Sequence, residues 1–201
     1  MTIIWLALKT LGSLFVVACA MRAYLQALRL HPQNPVSRLI FQMTDWLVRP
    51  LRRLVPGFGG IDWASLLGAM IIALALVVTY YLLVSVGLLP DANPLQKPVR
   101  PFGWLVALAL IWALGWCVQL AVVLLIIGVL LTWIAPMHPL KPVFSLLVAP
   151  MLLPFQRLFG RRDGKSRGSG FDFSPIGAFL MLQIASGLLS EMESGVLRHL
   201  F

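Results

Sequence analysis

Pro50-Leu51-Arg52-Arg53-Leu54 is the stretch that decides the fold, because a variant of it, Pro154-Phe155-Gln156-Arg157-Leu158, returns 104 residues later. Each stretch ends an amphipathic segment. That segment opens at Asn34-Pro35 in the first copy and at His138-Pro139 in the second. Each copy then continues through glycines into a long apolar run. Similarity at a fixed spacing indicates a duplicated structural unit.

The duplication divides the chain into two predicted units, residues 1–100 and residues 101–201. Each unit contains an apolar helix, an amphipathic segment and a second apolar helix. Asp62 precedes the second apolar helix of the first unit, and Asp172 holds the corresponding place in the second. We therefore expect an all-α protein made of two repeats.

Composition places this protein in a membrane. Of its 201 residues 60% are hydrophobic and 11% are charged, whereas charged residues make up about 25% of an ordinary soluble domain. Four apolar segments have the roughly 20 residues that a bilayer-spanning helix needs; they are residues 3–21, 63–89, 102–133 and 173–190. The third would extend roughly 48 Å as a helix, so we expect it to tilt or bend.

The positive charges predict the orientation. Of the 16 lysines and arginines, twelve follow the first and third spans: Arg22, Arg29, Arg38, Arg49, Arg52, Arg53, Lys141, Arg157, Arg161, Arg162, Lys165 and Arg167. Positively charged loops stay in the cytoplasm. We therefore expect both repeat loops on the cytoplasmic side of a bacterial inner membrane, both termini in the periplasm, and two parallel repeats. Because topology accounts for the basic charge, nucleic-acid binding is not expected.

The first amphipathic segment is predicted to be a helix lying in the plane of the membrane interface. Asn34 is a suitable cap, and Pro35 suits the first helical position. Apolar residues then recur at steps of three and four, with polar residues opposite them. The apolar set is Val36, Leu39, Ile40, Met43, Trp46, Leu47 and Leu51. Aromatic and aliphatic side chains opposite arginines are typical of an interfacial helix.

The second amphipathic segment, residues 139–159, is almost wholly apolar. Pro142, Pro150 and Pro154 are expected to interrupt any regular helix there. A broken or re-entrant segment is therefore predicted, since irregular backbone at membrane depth needs protein or water to satisfy it. The sequence leaves open whether this segment is interfacial or re-entrant.

Several polar residues have predicted structural roles. Asp62, Asp172 and Ser174 stand where caps of the second apolar helices are expected. Arg22 lies at the end of the first span, where it can pair with Asp62 or Asp45, or extend to the lipid headgroups. The sequence leaves these alternatives open.

The order of motifs resembles the YggT family of integral membrane proteins. The resemblance rests on Pro-Leu-Arg-Arg, Pro, Gly-Gly, Ile-Asp and Ser-Leu within residues 50–66, and on Phe171-Asp172-Phe173-Ser174-Pro175 in the second copy. It departs at Gln156-Arg157, where the family carries an arginine pair. The resemblance implies a link to osmotic or envelope stress for bacterial members, and to haem attachment for plastid relatives. It implies no established enzymatic activity.

We interpret the chain as a non-catalytic scaffold, an assembly factor or a stress-response factor. Its basic face would contact anionic lipid headgroups, a partner membrane protein or a second copy of the chain. The candidate binding residues are Arg49, Arg52, Arg53 and Arg157, with Arg161 and Arg162 as helpers. No catalytic motif, metal site or cofactor is expected.

Two alternatives remain at this point. A channel or transport role would need ionisable groups inside the spans, and Lys9 is the candidate. A haem-handling role would use His31 and His138, which hold similar places in the two copies, since two imidazoles can ligate iron.

Overall fold

A computed structural model describes residues 2–29, 35–55, 57, 60, 62–89, 101–134, 137, 139–159 and 174–200, apart from the side chains of residues 35, 101, 158 and 159. The described residues form helices and turns, with no strand among them. The six helices are α1 (Thr2–Ala27), α2 (Pro35–Leu54), α3 (Trp63–Ser85), α4 (Pro101–Ile134), α5 (Lys141–Phe159) and α6 (Ser174–Leu200). The predicted all-α fold is therefore confirmed.

Four of these helices, α1, α3, α4 and α6, are long and apolar enough to cross a membrane. Much of their apolar surface is exposed, as at Ile4, Leu114 and Ile184, which are 67%, 54% and 65% exposed. Exposed apolar surface of this extent marks contact with lipid or with another apolar partner. The predicted four-span membrane protein agrees with this architecture.

The chain forms two compact units. Unit 1 comprises Met1–Cys117 together with Leu189–Phe201, and unit 2 comprises Val118–Leu188. The predicted repeat boundaries at residues 1–100 and 101–201 remain a prediction from the sequence.

Helices α1, α2 and α3 pack against one another in unit 1. Small residues make the close approach between α1 and α3: a Cβ at Gly12 would lie only 2.5 Å from Leu76 Cδ1. Small residues at helix contacts are the usual means of close packing in membranes. The core around this contact is apolar, with Val16, Ala73 and Val77 fully buried.

The first amphipathic segment forms the predicted helix, α2, even though it contains Pro50. Ile40 and Val48 turn inward and are buried, whereas Leu39 and Trp46 are 58% and 64% exposed. Thus α2 packs one apolar side on α1 and α3 and leaves another apolar side exposed.

The expectation that prolines break the second amphipathic segment is wrong, because α5 is one continuous helix from Lys141 to Phe159. Pro142 stands second in the helix, where the backbone N–H has no intrahelical acceptor to lose. Pro150 and Pro154 lie four residues apart, and both are exposed. The missing hydrogen bonds therefore fall on one side of α5, while the bonds on its other side maintain the helix.

Candidate ionic site of the first three helices

Most of the polar side chains buried in unit 1 meet where the end of α1, the middle of α2 and the start of α3 come together. We call this cluster the ionic site. Its members are Arg22 and Gln26 of α1, Thr44, Asp45, Arg49 and Arg52 of α2, Asp62 before α3, and Ser65 of α3. Because all three helices contribute, the site ties α2 to α1 and α3.

Arg22 is the central cation. It is 5% exposed although it carries a full charge. Its Nη1 donates to Asp45 Oδ1 at 2.7 Å and to Thr44 Oγ1 at 2.9 Å. Its Nε lies 3.5 Å from Asp62 Oδ2, and its guanidinium carbon lies 4.8 Å from the centre of the Phe41 ring. In the structure Arg22 therefore pairs with both Asp45 and Asp62 and does not extend to the headgroups.

Asp62 is the central anion, with a side chain that is fully buried. Its Oδ2 accepts hydrogen bonds from Arg52 Nη2 and from Ser65 Oγ, both at 2.6 Å. The Gln26 amide, oriented by its hydrogen-bond partners, donates to the same oxygen at 3.2 Å and accepts from Arg52 Nη2 at 2.8 Å.

The expected role of Asp62 as a side-chain cap is corrected by this geometry. Asp62 does occupy the N-cap position of α3, but its carboxylate makes no cap hydrogen bond. Its backbone carbonyl instead accepts from the amides of Ser65 and Leu66, at 3.1 and 3.2 Å. Arg22 and Arg52 compete with the backbone amides of α3 for the carboxylate, and a charged donor binds a carboxylate more strongly than a neutral amide does.

The surroundings lower the pKa of both aspartates. Burial alone would raise the pKa of Asp62, but hydrogen bonds from Ser65 and Arg52, and the charges of Arg52 and Arg22, outweigh it. Burial likewise raises the pKa of Asp45, and the hydrogen bonds and charges of Arg22 and Arg49 outweigh it. Both carboxylates are therefore held ionised.

The ionic site carries one excess positive charge, because three arginines meet two aspartates. Its outer members are exposed, since the side chains of Arg49 and Arg52 are 77% and 44% accessible. Its inner members are closed off from solvent. This arrangement suits a structural clamp whose outer edge is open to an anion.

The remaining predicted residues lie elsewhere. Arg53 is exposed in the last turn of α2, and Arg157 is exposed in the last turn of α5, in unit 2. Ser174 is buried as the first residue of α6. Asn34, Arg161, Arg162 and Asp172 lie outside the described residues, as do His31 and His138.

Sequence reasoning missed Gln26, Thr44 and Ser65 as members of the site. One signal was available: Asp45 and Asp62 are the only acidic residues before position 91. An arginine at the end of an apolar span needs a partner, and these two were the only candidates nearby.

A second polar cluster of unit 1 surrounds Trp112. Lys9 Nζ lies 4.3 Å from the centre of the Trp112 ring, which is the range of a cation–π contact. The Trp112 indole N–H donates to Glu193 Oε1 at 2.8 Å. Trp5 and Tyr80 complete the cluster, with ring centres 5.3 Å apart. Within the part of the chain that the structure describes, no three His, Cys, Asp or Glu side chains meet to hold a metal ion.

Comparison with known proteins identifies the family. The sequence model of the CCB3/YggT family matches residues 1–83 and 107–192. An uncharacterized protein of Pseudomonas aeruginosa is 35% identical, the match covering 90% of this chain and 85% of that protein. An uncharacterized protein of Vibrio alginolyticus is 30% identical, with 92% of each chain covered. The uncharacterized protein YggT of Escherichia coli is 27% identical, over 92% of this chain and 88% of that protein.

No solved structure matches this chain. The family match covers most of the sequence and both amphipathic segments. The chain, a multi-pass membrane protein, belongs to the CCB3/YggT family.

Proposed function

We propose that this protein is a non-catalytic membrane scaffold, an assembly factor or a stress-response factor. In this role α2 presents its arginines to anionic lipid headgroups or to an acidic partner membrane protein. The observation that carries the proposal is the exposed surface of α2. Arg38, Arg49 and Arg53 form one exposed row, which we call the arginine stripe. Beside it lie the exposed apolar side chains of Leu39 and Trp46.

Helical spacing explains this arrangement. Residues 38, 49 and 53 are separated by eleven and four positions, which returns them to nearly the same side of a helix. Leu39 and Trp46 are seven positions apart and follow the neighbouring side. A helix with a basic side adjoining an apolar side lies naturally between headgroups and acyl chains.

The ionic site supports the proposal by fixing α2. Its contacts to Arg22 and Asp62 hold α2 against α1 and α3, so the arginine stripe is presented without further ordering. Among the described residues, Arg38 and Arg53 form no ion pair, which leaves their charges available. A basic residue near an anionic membrane surface contributes about 1 kcal/mol of binding.

The experiment compares lipid retention after purification in a mild detergent. The test variant is Arg38→Gln with Arg53→Gln, which spares the ionic site. The control is Arg198→Gln, an exposed arginine in the last turn of α6. Phosphatidylglycerol per protein, measured by mass spectrometry, should fall severalfold in the test variant and remain unchanged in the control. Equal retention in all three proteins, or loss only of a co-purifying acidic protein, would reject the lipid form of the proposal.

A channel or transport role is the second candidate, and the Lys9–Trp112–Glu193 contacts are the observation that favours it. Lys9 and Glu193 are charged residues within membrane-spanning helices, and such residues commonly mark ion or substrate pathways. Solute or ion flux into vesicles containing the purified protein tests this role. Flux that disappears in Lys9→Met and Glu193→Gln would support it, whereas vesicles no leakier than empty ones would reject it.

A haem-handling role is the third candidate. It rests on His31 and His138, which lie outside the described residues. Purification in the presence of haem should give a Soret band if these residues ligate iron.

A further inference from the structure

Unit 2 contains a cleft that the proposed function does not use. It has a volume of about 480 Å³ and lies between the end of α4, one side of α5 and the start of α6. Gly128, Thr132, Ser145, Ala149, Gln156 and Ile176 are among its lining residues. Its volume falls within the roughly 300–1,000 Å³ that is usual for sites of small organic ligands.

The interior of the cleft is apolar in practice, even where it carries hydroxyl groups. Thr132 Oγ1 donates to the Gly128 carbonyl at 2.9 Å, and Ser145 Oγ donates to the Pro142 carbonyl at 2.8 Å. These hydroxyl protons are therefore already used within their own helices. The rest of the lining is mainly aliphatic, including Val129, Val148 and Leu152. A space of this character favours hydrocarbon over water.

The sequence positions of the first copy that align with this cleft belong to the ionic site. A shift of 104 residues carries Thr44 and Asp45 onto Val148 and Ala149, both of which line the cleft. The same shift carries Arg22 onto Ile126, and Arg52 onto the cleft residue Gln156. Three charged members of the ionic site are thus replaced in the second copy by uncharged residues, two of which, Ala149 and Gln156, line the cleft.

Polar groups stand at both ends of the α5 row that lines the cleft. Residues 145, 149, 152 and 156 share this side of α5. Lys141 is four residues before Ser145 and lies on the same side by helical spacing. The amide of Gln156 closes the other end. A basic group next to an apolar cleft complements a phospholipid, which joins a phosphate to an acyl chain.

We propose that this cleft binds one acyl chain of a membrane phospholipid, with the phosphate near Lys141. The surrounding helices α4 and α6 are apolar enough to cross a membrane, so a cleft beside them is open to acyl chains of the bilayer in this proposal. Binding here needs no residue of α2. The two proposals therefore succeed or fail independently.

The experiment uses the full chain in vesicles that contain a phospholipid with a photoreactive group in its acyl chain. After irradiation, labelled positions are located by peptide mass spectrometry. We expect the labels to concentrate at the cleft-lining residues of α4 and α5, and to saturate as the probe fraction rises. Labelling that rises linearly with the probe, or that spreads evenly over the exposed sides of α4 and α6, would overturn the proposal.

Two variants on α5 distinguish binding in the cleft from general contact with lipid. Ala149→Trp fills the cleft, whereas Leu146→Trp adds the same bulk at a side chain that is 54% exposed and does not line it. Cleft labelling should fall at least fivefold in Ala149→Trp and stay unchanged in Leu146→Trp. Equal labelling in both variants contradicts the assignment. If Ala149→Trp does not fold, the saturation measurement on the unaltered protein tests the proposal.

Anionic and zwitterionic probes compared side by side show whether the charge of the headgroup affects binding in the cleft.

Discussion

Arg22 Nε lies 3.5 Å from Asp62 Oδ2, and both side chains are buried at the junction of three helices. An isolated buried charge would be unstable there, because desolvation costs several kcal/mol per ion. The pair persists because Thr44 and Asp45 accept hydrogen bonds from Arg22, and because Arg52 and Ser65 donate hydrogen bonds to Asp62. Helix α2 is thus anchored by charge as well as by apolar packing.

Removing one member of this pair should destabilise the protein strongly. Asp62→Asn leaves Arg22 and Arg52 without their shared carboxylate, and we expect a loss of about 3–5 kcal/mol, the usual result of breaking a buried ion pair. Thermal unfolding in detergent measures the change. Arg49→Gln is the control, since the Arg49 side chain is 77% accessible and a helical ion pair at four-residue spacing on the surface is worth about 0.5 kcal/mol or less. Similar melting temperatures for the two variants would mean that the buried pair contributes little.

Stability should also fall at acid pH. The pKa values of Asp45 and Asp62 are lower in the folded protein than the ordinary value of 3.8. The unfolded chain therefore binds protons at a higher pH than the folded chain, and these groups stabilise the fold fully only above about pH 4. We expect the melting temperature to drop as the pH falls below that value. Asp62→Asn should make the drop shallower; an identical pH profile would contradict this account.

The close contact between α1 and α3 predicts an effect of added bulk. Gly12→Ala would bring a methyl group to 2.5 Å from Leu76 Cδ1, so the leucine must move. We expect a loss of about 1–3 kcal/mol from overpacking. Gly115→Ala in α4 is the matched control, because nothing lies within 4 Å of its added methyl group, and alanine favours a helix. Melting temperatures that change equally would show that the contact is loose.

The orientation predicted from charge can be tested by cysteine labelling. Arg53→Cys and Arg157→Cys should react with a membrane-impermeant thiol reagent only after the inner membrane is opened. Lys97→Cys, between the second and third spans, should react in intact cells whose outer membrane is permeable. The reverse pattern would invert the topology. Cys19 and Cys117 lie within α1 and α4, and replacing both by serine provides the background.

The sequence predicted α2 well, because residues spaced by three and four positions report directly on one side of a helix. It predicted α5 poorly, since the proline rule is local and takes no account of bonds retained on the other side of the helix. For the ionic site, the scarcity of acidic residues limited the partners of Arg22 to Asp45 and Asp62. The contributions of Gln26, Thr44 and Ser65 depend on how three helices are placed, which no spacing in the sequence encodes.

The most direct test of the central claim, that anchored α2 presents its arginine stripe to anionic lipid, is the lipid selectivity of the protein in mixed vesicles. Spin-labelled phosphatidylglycerol and phosphatidylethanolamine report how strongly each lipid associates with the protein surface. We expect the unaltered protein and Arg198→Gln to prefer phosphatidylglycerol severalfold, and Arg38→Gln with Arg53→Gln to lose most of that preference. The absence of any preference in the unaltered protein, or its survival in the double variant, would contradict the account.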